Sequence, residues 1–206
     1  MSNQQRPDRM LGAEVALDAR LRAIVAASPL FRAIWDRWDA VALPGCWVSG
    51  SAIAQTVWNA AFGFPPDHGL ADIDLVYFDA ADISERREMR DAERVRGLFP
   101  TLPLAIDIKN EARVHLWYEG KFGYPIPPYR SIEHAITTFP TTASSVAIRP
   151  GADYLEIFAP FGLADMFGGM VRANNVQITQ DIYEQKARRW HGCWPALTIV
   201  GWHDEG

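Results

Sequence analysis

The alternation of apolar and polar positions along the chain predicts short strands separated by helices in its first half. Apolar residues recur at helical spacing, or follow helix start signals, in these segments: 11–27, 28–39, 52–61, 84–98, 110–118, 131–138, 163–170 and 180–190. Short apolar runs bounded by turn residues predict strands at 46–48, 73–78, 102–108, 145–149 and 155–158. The later strands follow one another without a long helix between them, which is typical of a hairpin.

This order of elements predicts an α+β (mixed α/β) fold, in which helices cover a small mixed sheet. We expect a single domain over 1–206, with disorder in residues 1–9 and a catalytic core at about 45–118. Extra helices precede this core. Residues 119–206 are expected to form a C-terminal extension that packs on it and contains the hairpin and the last helix.

Charge and composition narrow the class of partner. The formal net charge is −5 and the sequence pI about 5.5, so no basic field for a DNA track is expected. No apolar run is long enough to cross a bilayer, and the polar residues 1–9 hold no signal core. Cys46 and Cys193 alone make neither a disulfide framework nor a zinc set. A cytoplasmic location without membrane contact is expected.

The strongest chemical signal is the pair Asp72 and Asp74 at the start of the predicted strand 73–78. Residues at i and i+2 of a strand point to the same face, so both carboxylates leave the sheet side by side. Such a pair repels unless a cation lies between its members, and oxygen ligands suit Mg²⁺ or Mn²⁺. The alternative is a solvated acidic turn.

Two further features fit this interpretation. Gly50 and Ser51 lie between a strand and a helix, where backbone N–H groups favour a phosphate, although a plain turn would show the same residues. Asp107 has apolar strand neighbours on both sides, and an unpaired buried carboxylate costs several kcal/mol. The alternative for Asp107 is a solvent-facing position on an alternating strand.

Together, Gly-Ser, then Asp-x-Asp, then a single apolar-flanked Asp resemble the motifs of the DNA polymerase beta-type nucleotidyltransferase superfamily. The loop 62–69 makes the gap between Gly50 and Asp72 longer than is usual there. Most of the chain is also similar to a bacterial family of small nucleotidyltransferase-like proteins that is named by fold and motif and has no established substrate. The segments that carry this likeness are WVSGSAIAQTVW (47–58), DIDLVYFD (72–79), KNEARVHLWY (109–118), APFGLAD (159–165), YEQKARRW (183–190) and WP (194–195).

The resemblance implies transfer of a nucleoside monophosphate from an NTP to a hydroxyl acceptor, with release of pyrophosphate. Asp72 and Asp74 would bind Mg²⁺ (or Mn²⁺), and Asp107 would complete a second metal site. Gly50 and Ser51 would hold the β- and γ-phosphates. Four further residues are candidate contacts to nucleotide, acceptor or phosphate: Lys109, Asn110, Arg113 and Lys186.

The roles of several other side chains stay open at this point. His68, Asp67 and His115 are possible contacts to the site or ordinary polar residues. Four tryptophans on apolar faces are expected in the core: Trp35, Trp38, Trp47 and Trp58. The other four stay open, and a tryptophan near Lys186 could stack on a base.

Two other functions stay open. The first is a glycosyltransferase, because Asp-x-Asp can also hold Mn²⁺ and the diphosphate of a nucleotide sugar. The second is a nucleotide- or RNA-binding module that keeps the fold without turnover. The acceptor is equally open, and it could be a small molecule, a protein side chain or an RNA end.

Overall fold

The computed structural model describes residues 5–204, and the side chains of residue 12 and of residues 14–204. Residues 1–4 of the segment predicted to be disordered lie outside the described residues. Helix α1 (Gln5–Ala27) begins within that segment. Pro7 is compatible with this start, because the first helical turn leaves its backbone N–H groups without intrahelical partners.

Helices and strands occur in the mixed order that the sequence predicts. The helices that follow α1 are α2 (Pro29–Trp35), α3 (Trp38–Val41), α4 (Ser51–Phe62), α5 (Glu85–Arg96), α6 (Val114–Phe122), α7 (Ile132–Ile136), α8 (Ala164–Phe167) and α9 (Gln180–Cys193). The strands are β1 (Trp47–Ser49), β2 (Asp72–Tyr77), β3 (Ala105–Asn110), β4 (Ala147–Pro150), β5 (Leu155–Phe158), β6 (Met170–Val171) and β7 (Thr198–Ile199). Short 3₁₀ helices span Glu111–Arg113 and Thr142–Ser144.

Within residues 5–204 the main sheet has five strands in the order β3-β2-β1-β4-β5. β2 and β3 are parallel, and the other pairs are antiparallel. The mixed sheet and its covering helices confirm the predicted α+β class, and β4 and β5 form the predicted hairpin. The parallel pair of β6 and β7 was not predicted, because two-residue strands carry no periodic signal.

The two faces of the main sheet differ in chemistry because side chains alternate along each strand. One face belongs to the main hydrophobic core and carries Val48, Ile73, Leu75, Ile106, Ile108 and Ile148. The other face carries Trp47 and Val76 at one end, where both belong to a smaller cluster with Ile132 and Ile136 of α7. Ala147 and Phe158 extend this cluster on β4 and β5, whereas the same face of β2 and β3 carries Asp72, Asp74, Asp107 and Lys109.

Two predicted boundaries are corrected. The helix expected over 28–39 ends at Trp35 and resumes at Trp38, because Arg37 leaves the helical range with φ −120° and ψ 8°. The Trp35 and Trp38 rings then pack edge-on at 5.1 Å. The strand expected over 102–108 runs instead from Ala105 to Asn110, since its pairing with β2 extends to Asn110 and Pro103 lacks a backbone N–H.

A buried tryptophan cluster holds α9 against α4. The Trp58 ring packs edge-on against Trp190 at 5.1 Å and against Trp194 at 5.4 Å between ring centroids. Trp58 Nε1 donates to the Met166 carbonyl, and Trp194 Nε1 donates to Asn59 Oδ1 at 2.7 Å. These tryptophans are therefore core residues of the cluster that contains the apolar face of the sheet, and their packing fixes the position of α9.

Across residues 5–204, none of the helices combines the length and the apolar character that a membrane span requires.

Gly69 tests how tightly this cluster is packed. Its φ is +69°, and an added Cβ would lie 2.5 Å from Trp194 Cη2, whereas Gly63 at φ +75° has open space around it. We expect Gly63→Ala to cost about 1 kcal/mol of unfolding free energy through backbone strain alone. Gly69→Ala should cost about 1–3 kcal/mol more, because the methyl group overpacks the cluster. Urea unfolding followed by tryptophan fluorescence measures both free energies. Equal losses for the two variants would show that the tryptophan cluster accommodates the added methyl group without strain.

Candidate active site

A glycine turn brings backbone against a carboxylate at the end of β1. Gly50 has φ +80° and ψ −148°, and its N–H donates to the Val146 carbonyl at 2.9 Å. A Cβ at this position would lie 3.3 Å from Asp74 Oδ2. Both the positive φ and the close approach favour glycine here. The turn therefore holds the first residues of α4 next to Asp74.

The N-terminus of α4 offers polar groups to this turn. No side chain caps the helix, and the Ile53 N–H donates to the Gly50 carbonyl at 3.3 Å, so the N–H groups of Ser51 and Ala52 remain available to an anion. The Ser49 hydroxyl is fully buried and has no hydrogen-bond partner among the described residues. Ser49, Gly50 and Ser51 line the same cleft. This arrangement suits a phosphate group.

The predicted acids lie together on the polar face of the sheet. Asp74 pairs in register with Ser49 of β1 and with Asp107 of the parallel strand β3. Residues paired in register share a face, and Asp72 shares it by alternation. Asp107 therefore faces the same side as the pair, as a shared metal site requires.

Mutual repulsion is strong in this acid group. Asp74 is half-buried, and its burial, followed by the negative charges of Asp72 and Asp107, raises its pKa from 3.8 to about 7. The positive charges of Lys186 and Lys109 oppose that rise. The Asp74 carboxylate gains no hydrogen bond from the described residues to offset its burial.

Asp107 is held differently, by cations. Lys109 Nζ lies 3.0 Å from Asp107 Oδ1 and 2.9 Å from Oδ2, and Arg96 Nη2 lies 3.6 Å from Oδ1. Over residues 5–204, no three or more His, Cys, Asp or Glu side chains are grouped closely enough to hold a metal ion. The expected three-acid set is thus not preassembled, because Lys109 already neutralises Asp107.

The oxygen donors of Asp72 and Asp74 nevertheless fit a hard divalent ion. They share one face, and the raised pKa of Asp74 reflects negative charge that a cation at this point would offset. Asp107 has the position for a further ligand but also has a competing partner in Lys109.

Lys186 reaches this cleft from α9. Burial is the main cause that lowers its pKa from 10.5 to about 8, and the positive charge of Arg189 adds to this, against the charges of Asp74 and Asp72. Its ammonium group lies 4.6 Å from the centroid of the Trp190 ring. The predicted placement of Lys186 at the acid site agrees with the geometry.

The cleft has a volume of about 180 Å³. Its walls include residues that the sequence analysis did not assign to the site: Glu111, Phe139, Pro140 and Ser144. Phe139 and Pro140 arrive by tertiary packing, which leaves no local pattern. Glu111 is buried, and its pKa rises from 4.5 to about 8 through burial and then the charges of Asp74 and Glu88. An acidic residue directly after the strand of Asp107 was the signal available for Glu111.

Two expected contact residues lie outside the cleft, and this part of the site is corrected. Asn110 is fully buried, donates to the Asp79 carbonyl at 2.9 Å and accepts from the N–H groups of Asp79 and Ala112. Arg113 forms an ion pair with Glu88 and donates to a backbone carbonyl. Both side chains stabilise the connection after β3, and neither is free for a nucleotide.

The other three candidates, His68, Asp67 and His115, do not line the acid cleft. His68 stacks on Phe64 at 4.2 Å between ring centroids, and its Nε2 lies 2.9 Å from the Cys193 carbonyl oxygen. Asp67 lines a separate groove beside α2. His115 is half-buried on α6, and its Nδ1 has no hydrogen-bond partner among residues 5–204.

Comparisons with known proteins agree with this geometry. The model of a family described as nucleotidyltransferase matches residues 36–199, which contain every residue of the cleft. An NMR structure described as revealing a CCA-adding enzyme head domain is similar, with a TM-score of 0.72 and 20% identity. That similarity covers 88% of this chain and 94% of the other, and it shows the fold. No curated protein sequence matches the chain. Because the family model spans most of its length, the chain belongs to the nucleotidyltransferase family.

Proposed function

We propose that this protein transfers a nucleoside monophosphate from an NTP to a hydroxyl acceptor and releases pyrophosphate. One observation carries the proposal: Gly50, Asp74 and Asp107 lie side by side on one face of the sheet, with the glycine backbone directly against Asp74. Family membership gives the reaction class, and this arrangement supports the finer description.

The triphosphate would bind at the β1–α4 turn. The N–H groups of α4 and the Ser51 hydroxyl would hold the β- and γ-phosphates, and Lys186 would offset their charge from the opposite wall. Lys186 is half-buried, and burial is the main cause of its lowered pKa, so its ammonium group has fewer bound waters to lose on contact with an anion.

Asp72 and Asp74 would hold a divalent ion, Mg²⁺ or Mn²⁺, and Asp107 would join them once Lys109 moves to the phosphates. Such an ion would lower the pKa of the acceptor hydroxyl and stabilise charge at the α-phosphate. Lys109 lies two residues beyond Asp107 on the same face, so a change of its side-chain rotamer would end their contact without movement of the strand.

Binding without turnover is the second candidate, because one specific observation favours it. The Lys109–Asp107 ion pair neutralises the acid that a second metal site needs. If Lys109 kept this partner with nucleotide bound, the protein would hold an NTP and not activate an acceptor. Small molecules, protein side chains and RNA ends are the candidate acceptors.

Nucleotide titration tests the proposal. We expect isothermal titration to show Mg²⁺-dependent binding of at least one of ATP, GTP, CTP and UTP. The double variant Asp72→Asn, Asp74→Asn should weaken this binding by at least about tenfold, because it removes the carboxylates that would hold the ion.

The exposed pair Asp36→Asn, Asp39→Asn makes the same charge change away from the cleft and should leave affinity unaltered. Absence of binding by folded wild type, or equal weakening by both double variants, would contradict the proposed site.

The raised pKa of Asp74 predicts that its charged form lowers the free energy of unfolding. Folding raises the pKa of Asp74 from 3.8 to about 7, so the stabilising contribution of its proton is complete below pH 4 and is lost as pH rises through 7. In EDTA at pH 8, Asp74→Asn should therefore unfold at higher urea than wild type, with a gain of about 1–2 kcal/mol.

That gain should vanish near pH 4, where wild-type Asp74 is neutral as well. Asp39→Asn, on the surface, serves as the control and should show little pH-dependent gain. A gain for Asp74→Asn that is the same at both pH values would show that repulsion is not its cause.

A further inference from the structure

A second pocket of about 180 Å³ adjoins the acid cleft. The two share the walls formed by Lys109, Glu111, Phe139 and Pro140. From this common boundary the second pocket extends over α6 and the chain that follows it. We name it the aromatic pocket, after the residues that distinguish it from the cleft: Trp117, Tyr118, Phe122 and Tyr129.

The aromatic walls are held in place by one another and by hydrogen bonds. The Tyr118 ring packs on Phe122 at 4.4 Å between centroids. The Tyr129 hydroxyl contacts Thr138 Oγ1 at 3.1 Å and Gln177 Nε2 at 2.8 Å. Preorganised walls of this kind bind a planar group with little loss of side-chain entropy. The volume is below the ~300–1,000 Å³ of pockets for drug-sized ligands, so it suits a single flat ring system.

Glu111 gives the aromatic pocket a specific polar group. Only 5% of the residue is exposed, and its carboxyl group borders both pockets. No group among the described residues donates a hydrogen bond to that carboxyl, although burial raises its pKa to about 8. The carboxyl oxygens are not among the fully buried polar atoms that lack a partner, so they remain accessible from the pockets that Glu111 lines. A ligand in the aromatic pocket would therefore find an unpaired polar group at its boundary with the cleft.

The order of the strands gives the direction of a bound ligand. Gly50 and Ser51 follow β1, Asp74 lies on the neighbouring β2, and Lys109 with Glu111 lies on or just after β3. The aromatic pocket adjoins the cleft at Lys109 and Glu111, two strands away from the glycine turn. Phe139, whose ring lies 3.8 Å from an added Cβ at Gly50, forms a wall that both pockets share. A molecule with phosphates at the turn would therefore direct its remaining part toward the aromatic pocket.

We propose that the aromatic pocket binds a nucleobase, which stacks on Trp117 and hydrogen-bonds through its polar edge to Glu111. This inference rests on the proposed function and names the part of the site that distinguishes one base from another. The base has two possible sources, the NTP itself or a nucleoside acceptor, and both present the same chemistry to the pocket.

Two variants separate stacking from hydrogen bonding. Trp117→Ala removes the half-buried ring, and Glu111→Gln keeps the shape while it replaces the carboxyl group with one fixed donor and one fixed acceptor. Leu116→Ala is the control, because Leu116 is the exposed neighbour of Trp117 on α6. Circular dichroism verifies that each variant is folded.

The probes are ATP, GTP, CTP and UTP with Mg²⁺, inorganic tripolyphosphate with Mg²⁺, and the four nucleosides added to protein saturated with tripolyphosphate. Because base–aromatic stacking typically contributes ~1–3 kcal/mol, Trp117→Ala should weaken binding of the base by about tenfold. Glu111→Gln should change the ranking of the four bases. Trp117→Ala, whose ring lies outside the acid cleft, should not alter tripolyphosphate affinity by more than about twofold.

The source of the base is identified by whether the variants weaken binding of the NTPs or of the nucleosides. Weakened NTP binding assigns the pocket to the NTP base, whereas unchanged NTP binding with loss of nucleoside binding assigns it to the acceptor. The inference is overturned if neither variant changes binding of any NTP or nucleoside, or if Leu116→Ala has the same effect as Trp117→Ala. Failure of tripolyphosphate to bind would contradict the proposed function separately, and titration of the four nucleosides into the protein alone would then decide on the pocket.

Discussion

The parallel pairing of β2 with β3 sets Asp74 directly beside Asp107, and the antiparallel pairing with β1 sets Ser49 on its other side. Because strand side chains alternate, this one register also turns the intervening Ile73 and Ile106 into the core. A slip of one residue in β3 would move Asp107 into that core and an isoleucine into the cleft. The hydrophobic face therefore enforces the arrangement of the polar face, and the site depends on that register.

This register brings together acidic groups that repel one another. Nearby lysines offset that repulsion only in part. Lys109 neutralises Asp107, whereas Asp74 and Glu111 keep raised pKa values near 7 and 8. Lys186 supplies positive charge from α9, which the Trp58–Trp190–Trp194 packing holds in place. A sheet selected only for stability would not carry this set. The uncompensated charge is consistent with a site that gains its cation and its anion together, as a metal–nucleotide complex.

How much of this the sequence predicts depends on how local each signal is. Alternation within one strand suffices to place Asp72 and Asp74, and helical spacing places Lys186 beside Trp190. Glu111 has no periodic signal, because a 3₁₀ turn between strand and helix buries it through tertiary contacts. Asn110 is the opposite case, because the sequence analysis assigned it to the site and the structure places it outside the cleft. Its side chain caps the following turn, yet its amide also donates to the Asp79 carbonyl, and that distant partner removes it from the site.

The measurement that most directly tests the central claim is paramagnetic broadening by Mn²⁺ in NMR spectra of the ¹⁵N-labelled protein. A site on the polar face predicts that low Mn²⁺ concentrations broaden the amide signals of Gly50, Ser51, Asp72, Asp74 and Asp107 first. Addition of NTP should then strengthen the effect at the same residues. Broadening that begins at exposed acids elsewhere, such as Asp36 and Asp39, and leaves the β1–β2–β3 signals intact would contradict a metal–nucleotide site on this sheet.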